Sequence, residues 1–285
     1  VSYLLRAGEA AGDGLALRIT PEQAGWTFCG LRVLHLAAGE SRTIVSGDDE
    51  LIVLPLSGSC DVTCEGHTYH LAGRGDVFAG PSDFIYVPRD GSATIASAAG
   101  GRFALPSARA TIRLEPRYVP ASAVPVELRG AGAASRQVHN FCAPEAFAAD
   151  RLIAVEVITP GGNTSSYPPH KHDVDVPGGE VALEEIYYYE VAGDGLALQR
   201  AYGTRDGVVL DICEEVRSGD AIVLPFGYHG PSVALPGYDL YYLNVMAGAS
   251  ERAWRFTDDP PHAWIRGSWA DQAIDPRLPY GGGPR

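Results

Sequence analysis

The 285 residues suffice for one large all-β domain or two smaller ones, and 46% hydrophobic against 20% charged residues is a globular balance, not a disordered one. A formal net charge of −13 argues against nucleic acid, whose phosphates need a basic surface, and no apolar run approaches the length of a membrane helix. Lys171 is the only lysine, so Schiff-base or pyridoxal chemistry would rest on that residue alone.

From the N-terminus, residues 1–6 carry no charged-then-apolar leader, so no signal peptide is expected. Short runs rich in Val, Ile, Leu, Thr and Tyr follow at 31–36, 51–56, 62–71, 84–87, 93–96 and 110–114, each ended by Gly, Asp, Ser or Pro. This pattern predicts an antiparallel sandwich or barrel. Residues 117–134 are rich in Pro, Ala and Gly and are the expected linker, dividing a first unit at 1–130 from a second at 131–285. A second set of strands is expected at 152–158, 186–191, 196–202, 221–224 and 240–245. Helices should be few and short, with one around 144–149, and the tail from 258 to 285 reads as an irregular arm.

The halves look like copies of one unit. Residues 50–58 align with 185–193 from Glu to Gly, and 75–81 with 219–225 from Gly to Pro, which predicts two similar barrels side by side. In this alignment the first half has no His-x-His ahead of Glu50, and Phe84, Tyr86 and Pro88 stand where a histidine would be needed. The first barrel is therefore expected to be metal-free and structural.

The second half carries the chemistry-bearing residues. His170 and His172 flank Lys171, and on a strand they share one face while Lys171 turns away. Glu184 and Glu185 open the next apolar run, and His229 ends the segment Pro225-Phe226-Gly227-Tyr228-His229. The repeat favours Glu185 over Glu184 as the inward carboxylate. Three imidazoles and one carboxylate suit a divalent transition metal, with zinc or manganese foremost and iron, nickel or cobalt also compatible. Alternation places Tyr187 and Tyr189 on the face of Glu185. It also places Leu196, Leu198, Arg200 and Tyr202 together on an inward face, where Arg200 would pair with a carboxylate such as Glu184 or Glu190, or receive an anion.

Other candidates carry weaker signals. Cys60, Cys64, His67 and His70 lack the close pairs of a zinc site and read as packing or surface positions. The five cysteines are odd in number and irregular in spacing, which fits reduced thiols in the cytoplasm. His35 reads as surface or packing, His139 as a pocket wall or its support, and His262 as a residue of the arm that could reach the barrel mouth.

At these residues the sequence resembles the 5-deoxy-glucuronate isomerases of myo-inositol catabolism, a family of the cupin superfamily. The matching pieces include His139 to Pro144, Glu156 to Asn163, Ser165 to Asp173, Leu183 to Glu190, Gly237 to Asn244 and Asp258-Asp259-Pro260 with His262 to Ile265. The resemblance implies a bicupin, two tandem antiparallel β-barrels, with a divalent metal on His170, His172, Glu185 and His229. It implies conversion of an aldehyde sugar acid, 5-deoxy-glucuronate, to the keto acid 5-dehydro-2-deoxy-gluconate. Thr164, Phe226 and Gly230 depart from the family pattern beside the third histidine.

Such an isomerase moves a proton between adjacent carbons, with the cation polarising the carbonyl and stabilising an enediolate. Candidate proton carriers are a metal-bound hydroxide, Glu184, Glu190, His262, and a tyrosinate from Tyr241 or Tyr242, and the substrate carboxylate would call for Arg200, Arg252 or Arg255. The same ligands would also suit an Fe(II) cupin dioxygenase, or a sugar-acid-binding bicupin without catalysis. The partner in each case is a small sugar acid, and exposed barrel edges allow a homo-oligomer.

Overall fold

The computed structural model describes residues 3–281; Val1, Ser2 and residues 282–285, which end the expected arm, lie outside the described residues. All strand pairs are antiparallel and fall into three sheets. The first half forms one nine-stranded sheet built around the long strand Asp49–Cys64. The early part of that strand pairs with Phe84–Val87 and Gly101–Arg109, and its later part with His67–Arg74 and Ser92–Ala96. Register shifts around Gly58 turn it from one wall to the other. Gly73 packs against this bend so closely that a Cβ there would lie 1.8 Å from the Gly58 carbonyl oxygen.

The second half has two facing sheets. The seven-stranded sheet runs Leu4–Leu5, Ala221–Leu224, Glu184–Val191, Leu240–Ala247, Ile153–Thr159, Arg136–Cys142 and Val126–Arg129. The six-stranded sheet contains Val208–Val216, Ala197–Arg205, Tyr228–Ala234, His170–Lys171, Thr257–Asp258 and, paired to Tyr228–Ala234, Thr164–Ser165. The chain start thus supplies an edge strand to the later barrel.

Alternation sorts the side chains into three cores. Leu51, Val53, Ile85, Val87, Phe103 and Leu105 fill the first barrel. Tyr187, Tyr189, Leu224, Tyr242 and Met246 fill the second. Their sequence neighbours Ile52, Leu54, Phe84, Tyr86, Ile186, Tyr188 and Leu243 pack the barrels against each other. Strands such as Glu184–Val191 are buried on both faces, which explains their unbroken apolar runs. Each fully buried Leu, Ile or Phe contributes about 1.5–3 kcal/mol.

Several expectations change. Residues 110–114 form no strand, because pairing ends at Arg109 and the amides of Thr111 and Ile112 bond the Asp150 carboxylate instead. The expected linker holds two strands, Arg117–Val119 and Val126–Arg129, paired into different sheets. Residues 144–149 make a turn instead of a helix, whereas Pro21–Ala24 forms an unanticipated helical turn under a Thr20–Gln23 capping box.

The internal repeat is real in three dimensions but in another register. Leu51 pairs with Val87 as Glu185 pairs with Leu224, and Val45 pairs with Ser92 as His170 pairs with His229. Glu50 therefore corresponds to Glu184, and residues 83–88 correspond to 220–225. Gly75 and Asp76 belong to a separate turn, where Asp76 caps the 3-10 helix Val77–Ala79. The positions of the four metal-ligand candidates hold Val45, Gly47, Leu51 and Ser92 in the first barrel, none of which offers an imidazole or carboxylate.

Candidate metal centre

Glu185, Tyr187, Tyr242 and Asn244 project from the seven-stranded sheet toward His170, His172 and His229 on the opposite wall. His170 lies on a two-residue strand held between Tyr228–Ala234 and Thr257–Asp258, and His172 follows it, its carbonyl accepting the Leu183 amide. Lys171 turns away to Asp173 and Glu180, at 2.6 and 2.9 Å.

The three imidazoles share one device. Each Nδ1 lies against a backbone carbonyl: Pro168 at 3.2 Å for His170, Leu183 at 3.3 Å for His172, and Gly227 at 3.3 Å for His229. Donation of the Nδ1 proton to these carbonyls leaves Nε2 as the lone-pair nitrogen, the arrangement of a metal-binding histidine. The Nε2 atoms of His172 and His229 lie 3.0 and 3.1 Å from Glu185 Oε2, and one ligand atom from each of the three residues falls within 4.8 Å of the others. His229 Nε2 is buried without a hydrogen-bond partner. An orphaned ring nitrogen facing a carboxylate oxygen fits a cation between them.

His170 stands beside this trio, its ring centroid 4.6 Å from that of His229 and 6.5 Å from that of His172, with Phe256 on its other side at 4.7 Å. Burial, then the neighbouring His172, pushes the His170 imidazole down to about 3. Burial likewise pushes His229 down to about 3, against the pull of Glu185. Burial also depresses His172, but its bond to Glu185 and that carboxylate's charge outweigh it and raise this imidazole. Neutral imidazoles are the form that coordinates metal.

Around this centre the cavity is small, about 30 Å³, the room of about two waters. Asn244 Nδ2 donates to Glu185 Oε1 at 2.6 Å and so aims Oε2 at the histidines. The Ser166 hydroxyl lies 3.1 Å from Tyr187 Oη and 3.0 Å from Tyr242 Oη. Burial raises both phenols, so they hold their protons at neutral pH. Three arginines complete the wall: Arg129, Arg136 and Arg266.

The other expected site residues lie elsewhere. Glu184 faces away from Glu185 and accepts the amides of Thr27, Phe28 and Cys29 at 2.7–2.8 Å, across the barrel interface. Its counterpart Glu50 accepts those of Asp150, Arg151 and Leu152 in return. Arg200 points outward to Asp211, because the inward face of its strand is Ala197, Gln199 and Ala201, one residue out of phase with the expectation. Gln199 can face inward because Ser232 satisfies it. Tyr241 lies on the interface side, bonding Glu156 at 2.8 Å, while its neighbour Tyr242 faces the cavity. His262 precedes the 3-10 helix Ala263–Asp271 and does not line the cavity, whereas Arg266 of that helix does. Arg252 bonds the carbonyls of Leu152 and Phe147, and Arg255 bonds Glu251. His139 joins Glu156 at 2.9 Å between the barrels, and Glu190 pairs with Arg102. His67 and His70 are solvent-facing while Cys60 and Cys64 point into the barrel, so these four do not gather.

The sequence pattern of the KduI/IolB family matches residues 3–265. The chain belongs to this family. It is 40% identical over 256 residues to the 5-deoxy-glucuronate isomerase of Geobacillus kaustophilus, covering 89% of this chain and 91% of that protein. It superposes on the crystal structure of an IolB-like protein from Salmonella typhimurium with a TM-score of 0.86 at 38% identity, over 93% of this chain and 99% of that one. Oxalate decarboxylase from Lactobacillus farciminis, at 11% identity, TM-score 0.65 and coverage of 90% and 88%, shares the fold alone, a bicupin.

Against this family background the three departures have distinct settings. Gly230 has φ +102, and a Cβ there would stand 1.7 Å from the Ser166 carbonyl oxygen, so the segment bearing Ser166 can pass only over glycine. Phe226 is buried behind His172 and His229, with the Arg205 guanidinium 5.3 Å from its ring centroid. Thr164 sits on a two-residue edge strand and does not line the cavity. Sequence reasoning missed Asn244, Ser166 and the three arginines. A polar Asn two residues beyond Tyr242 in an otherwise apolar strand is the signal that could have found the first.

Proposed function

We propose that this chain is a metal-dependent 5-deoxy-glucuronate isomerase that forms 5-dehydro-2-deoxy-gluconate. The observation that carries the reading is the buried convergence of His172 Nε2, His229 Nε2 and Glu185 Oε2, with each Nδ1 committed to a carbonyl. The curated relatives of that name, similar over most of their length, supply the reaction class. His170, beside the trio, is the fourth ligand. When bound, a divalent transition metal there supplies a Lewis acid that polarises a carbonyl oxygen and favours the enediolate of aldose–ketose exchange.

The chain's own groups have separate tasks. Asn244 orients Glu185. The phenols of Tyr187 and Tyr242, protonated and joined through Ser166, present donors to the oxygens of a bound sugar. Trp254 and Phe256 form an apolar wall that excludes water. In this reading the nine-stranded barrel buttresses the catalytic barrel through the paired Glu50 and Glu184 clamps, and the expected boundary at 130/131 shifts, since Leu4–Leu5 and Val126–Arg129 are strands of the catalytic barrel.

The test is elemental analysis of purified protein, followed by assay on 5-deoxy-glucuronate before and after chelation with oxygen excluded. About one metal per chain and anaerobic turnover abolished by the chelator are expected. Full turnover of metal-free protein would refute the metal role, and turnover that demands oxygen would replace the isomerase with a dioxygenase.

A further inference from the structure

Three guanidiniums line the cavity beside His170 and Glu185, and they are not equivalent. Arg129 is neutralised by Glu127 through two hydrogen bonds, at 2.8 and 2.7 Å. Arg266 is held in the same two-pronged way by Asp258. Arg136 is 5% exposed, pairs directly across the sheet with Arg129, and makes no ion pair with a carboxylate among the described residues. Its Nη1 donates to the Ala134 carbonyl at 2.9 Å, and its guanidinium lies 5.3 Å from the Trp269 ring centroid. A buried cation with no carboxylate partner is costly, so the position demands an explanation. The chain carries a net charge of −13, so an anion gains nothing from long-range attraction and must be drawn to this cavity by local groups.

We infer that Arg136 is the anchor for the carboxylate of the sugar acid, binding it as a guanidinium–carboxylate pair and thereby setting which end of the substrate faces the metal ligands. The inference rests on the proposed isomerase reading for the identity of the substrate, but not for the charge it selects. Arg136 is planar, cationic and desolvated, the state in which a two-pronged bond to a carboxylate is strongest. The Arg129–Glu127 and Arg266–Asp258 pairs flank it as a neutral frame. Val138, next on the same face of the strand, keeps the neighbouring wall apolar. The choice is specific to this residue because Arg200, Arg252 and Arg255 all spend their guanidiniums outside the cavity.

The test compares D-glucuronate with D-glucuronamide, which replaces the carboxylate by a neutral carboxamide with a single accepting oxygen, as ligands of the metal-loaded protein by calorimetry. Wild-type protein should prefer the acid. Arg136→Gln should weaken glucuronate about 100-fold and leave glucuronamide unchanged, erasing the preference, while Arg136→Lys should retain part of it. On 5-deoxy-glucuronate the loss should fall mainly on KM. A wild type without preference for the acid, a parallel loss of both ligands in Arg136→Gln, or a preference that survives the substitution would each overturn the anchor. If Arg136→Gln fails to fold, Arg136→Lys decides, since full glucuronate affinity in that variant would remove the need for the planar fork. Acid preference in a protein that does not isomerise 5-deoxy-glucuronate would sink the proposed reaction and leave the anchor standing.

Discussion

Replacing Glu184 by Ala separates a structural carboxylate from a catalytic one. Its two oxygens accept three successive amides, those of Thr27, Phe28 and Cys29, where the strand Cys29–Leu36 of the nine-stranded sheet begins beside the second barrel. Hydrogen bonds to a charged acceptor contribute about 1.5–3 kcal/mol each. Water can replace Glu184 at the exposed Thr27 amide, so the half-buried amides of Phe28 and Cys29 decide the cost, about 3 kcal/mol at the lower end of that range. For a chain of this size such a loss lowers Tm by roughly 5 °C. Urea denaturation should show an earlier midpoint with an unchanged slope, because the exposed area on unfolding stays the same. Glu184→Gln, which keeps one accepting oxygen, should fall between. Metal content and kcat at 25 °C should match wild type, since Glu184 and Glu185 face opposite sides of the strand. A collapse of kcat with an unmoved midpoint would show that Glu184 acts at the site and that its amide bonds are incidental.

Other substitutions probe the centre and the interface. His172→Ala should abolish metal retention in elemental analysis, whereas His170→Ala, which removes the fourth ligand and leaves the tight trio, should weaken metal affinity while the trio still captures some; unchanged affinity in His170→Ala would remove His170 from the ligand set. Asn244→Leu should lower metal affinity about 10–100-fold by freeing Glu185 to rotate, measured by competition with a chelator. Against the upward push of burial, the Arg74 guanidinium and a hydrogen bond from His139 pull Glu156 down to about 2. A carboxylate held low adds stability that is present above its unfolded value near 4.5 and is lost as pH falls toward 2. Glu156→Gln should therefore flatten the acid limb of the stability curve across that window and cost about 3–5 kcal/mol at neutral pH by stranding Arg74; a variant with the wild-type acid limb would refute the assignment.

The metal-ligand candidates are legible because few residue types coordinate metal and a strand repeats every two residues. His170 and His172 with Lys171 between them, an acidic pair opening an apolar run, and a histidine after Pro-x-Gly leave little else to infer. The same period explains the failures. Glu184–Val191 and Leu240–Ala247 are buried on both faces, so apolarity does not say which residues face the cavity. Tyr241 and Tyr242, or Arg200 and Gln199, exchange roles with a shift of one. The repeat alignment that favours Glu185 is itself one residue out, and Glu185 nonetheless faces the cavity because the strand's phase puts it there.

The sequence alone determined that strands would dominate, that the unit would be duplicated and that the His-x-His pair and the later histidine occur only in the second copy, since these follow from residue type and local spacing. Tertiary structure alone decided the phase of each strand, the pairing of Glu50 and Glu184 with amides a hundred or more residues away, and the lack of an ion pair at Arg136 among the described residues. Those features are relations between distant segments, and a side chain's partner depends on which sheet its strand joins, which no local pattern encodes.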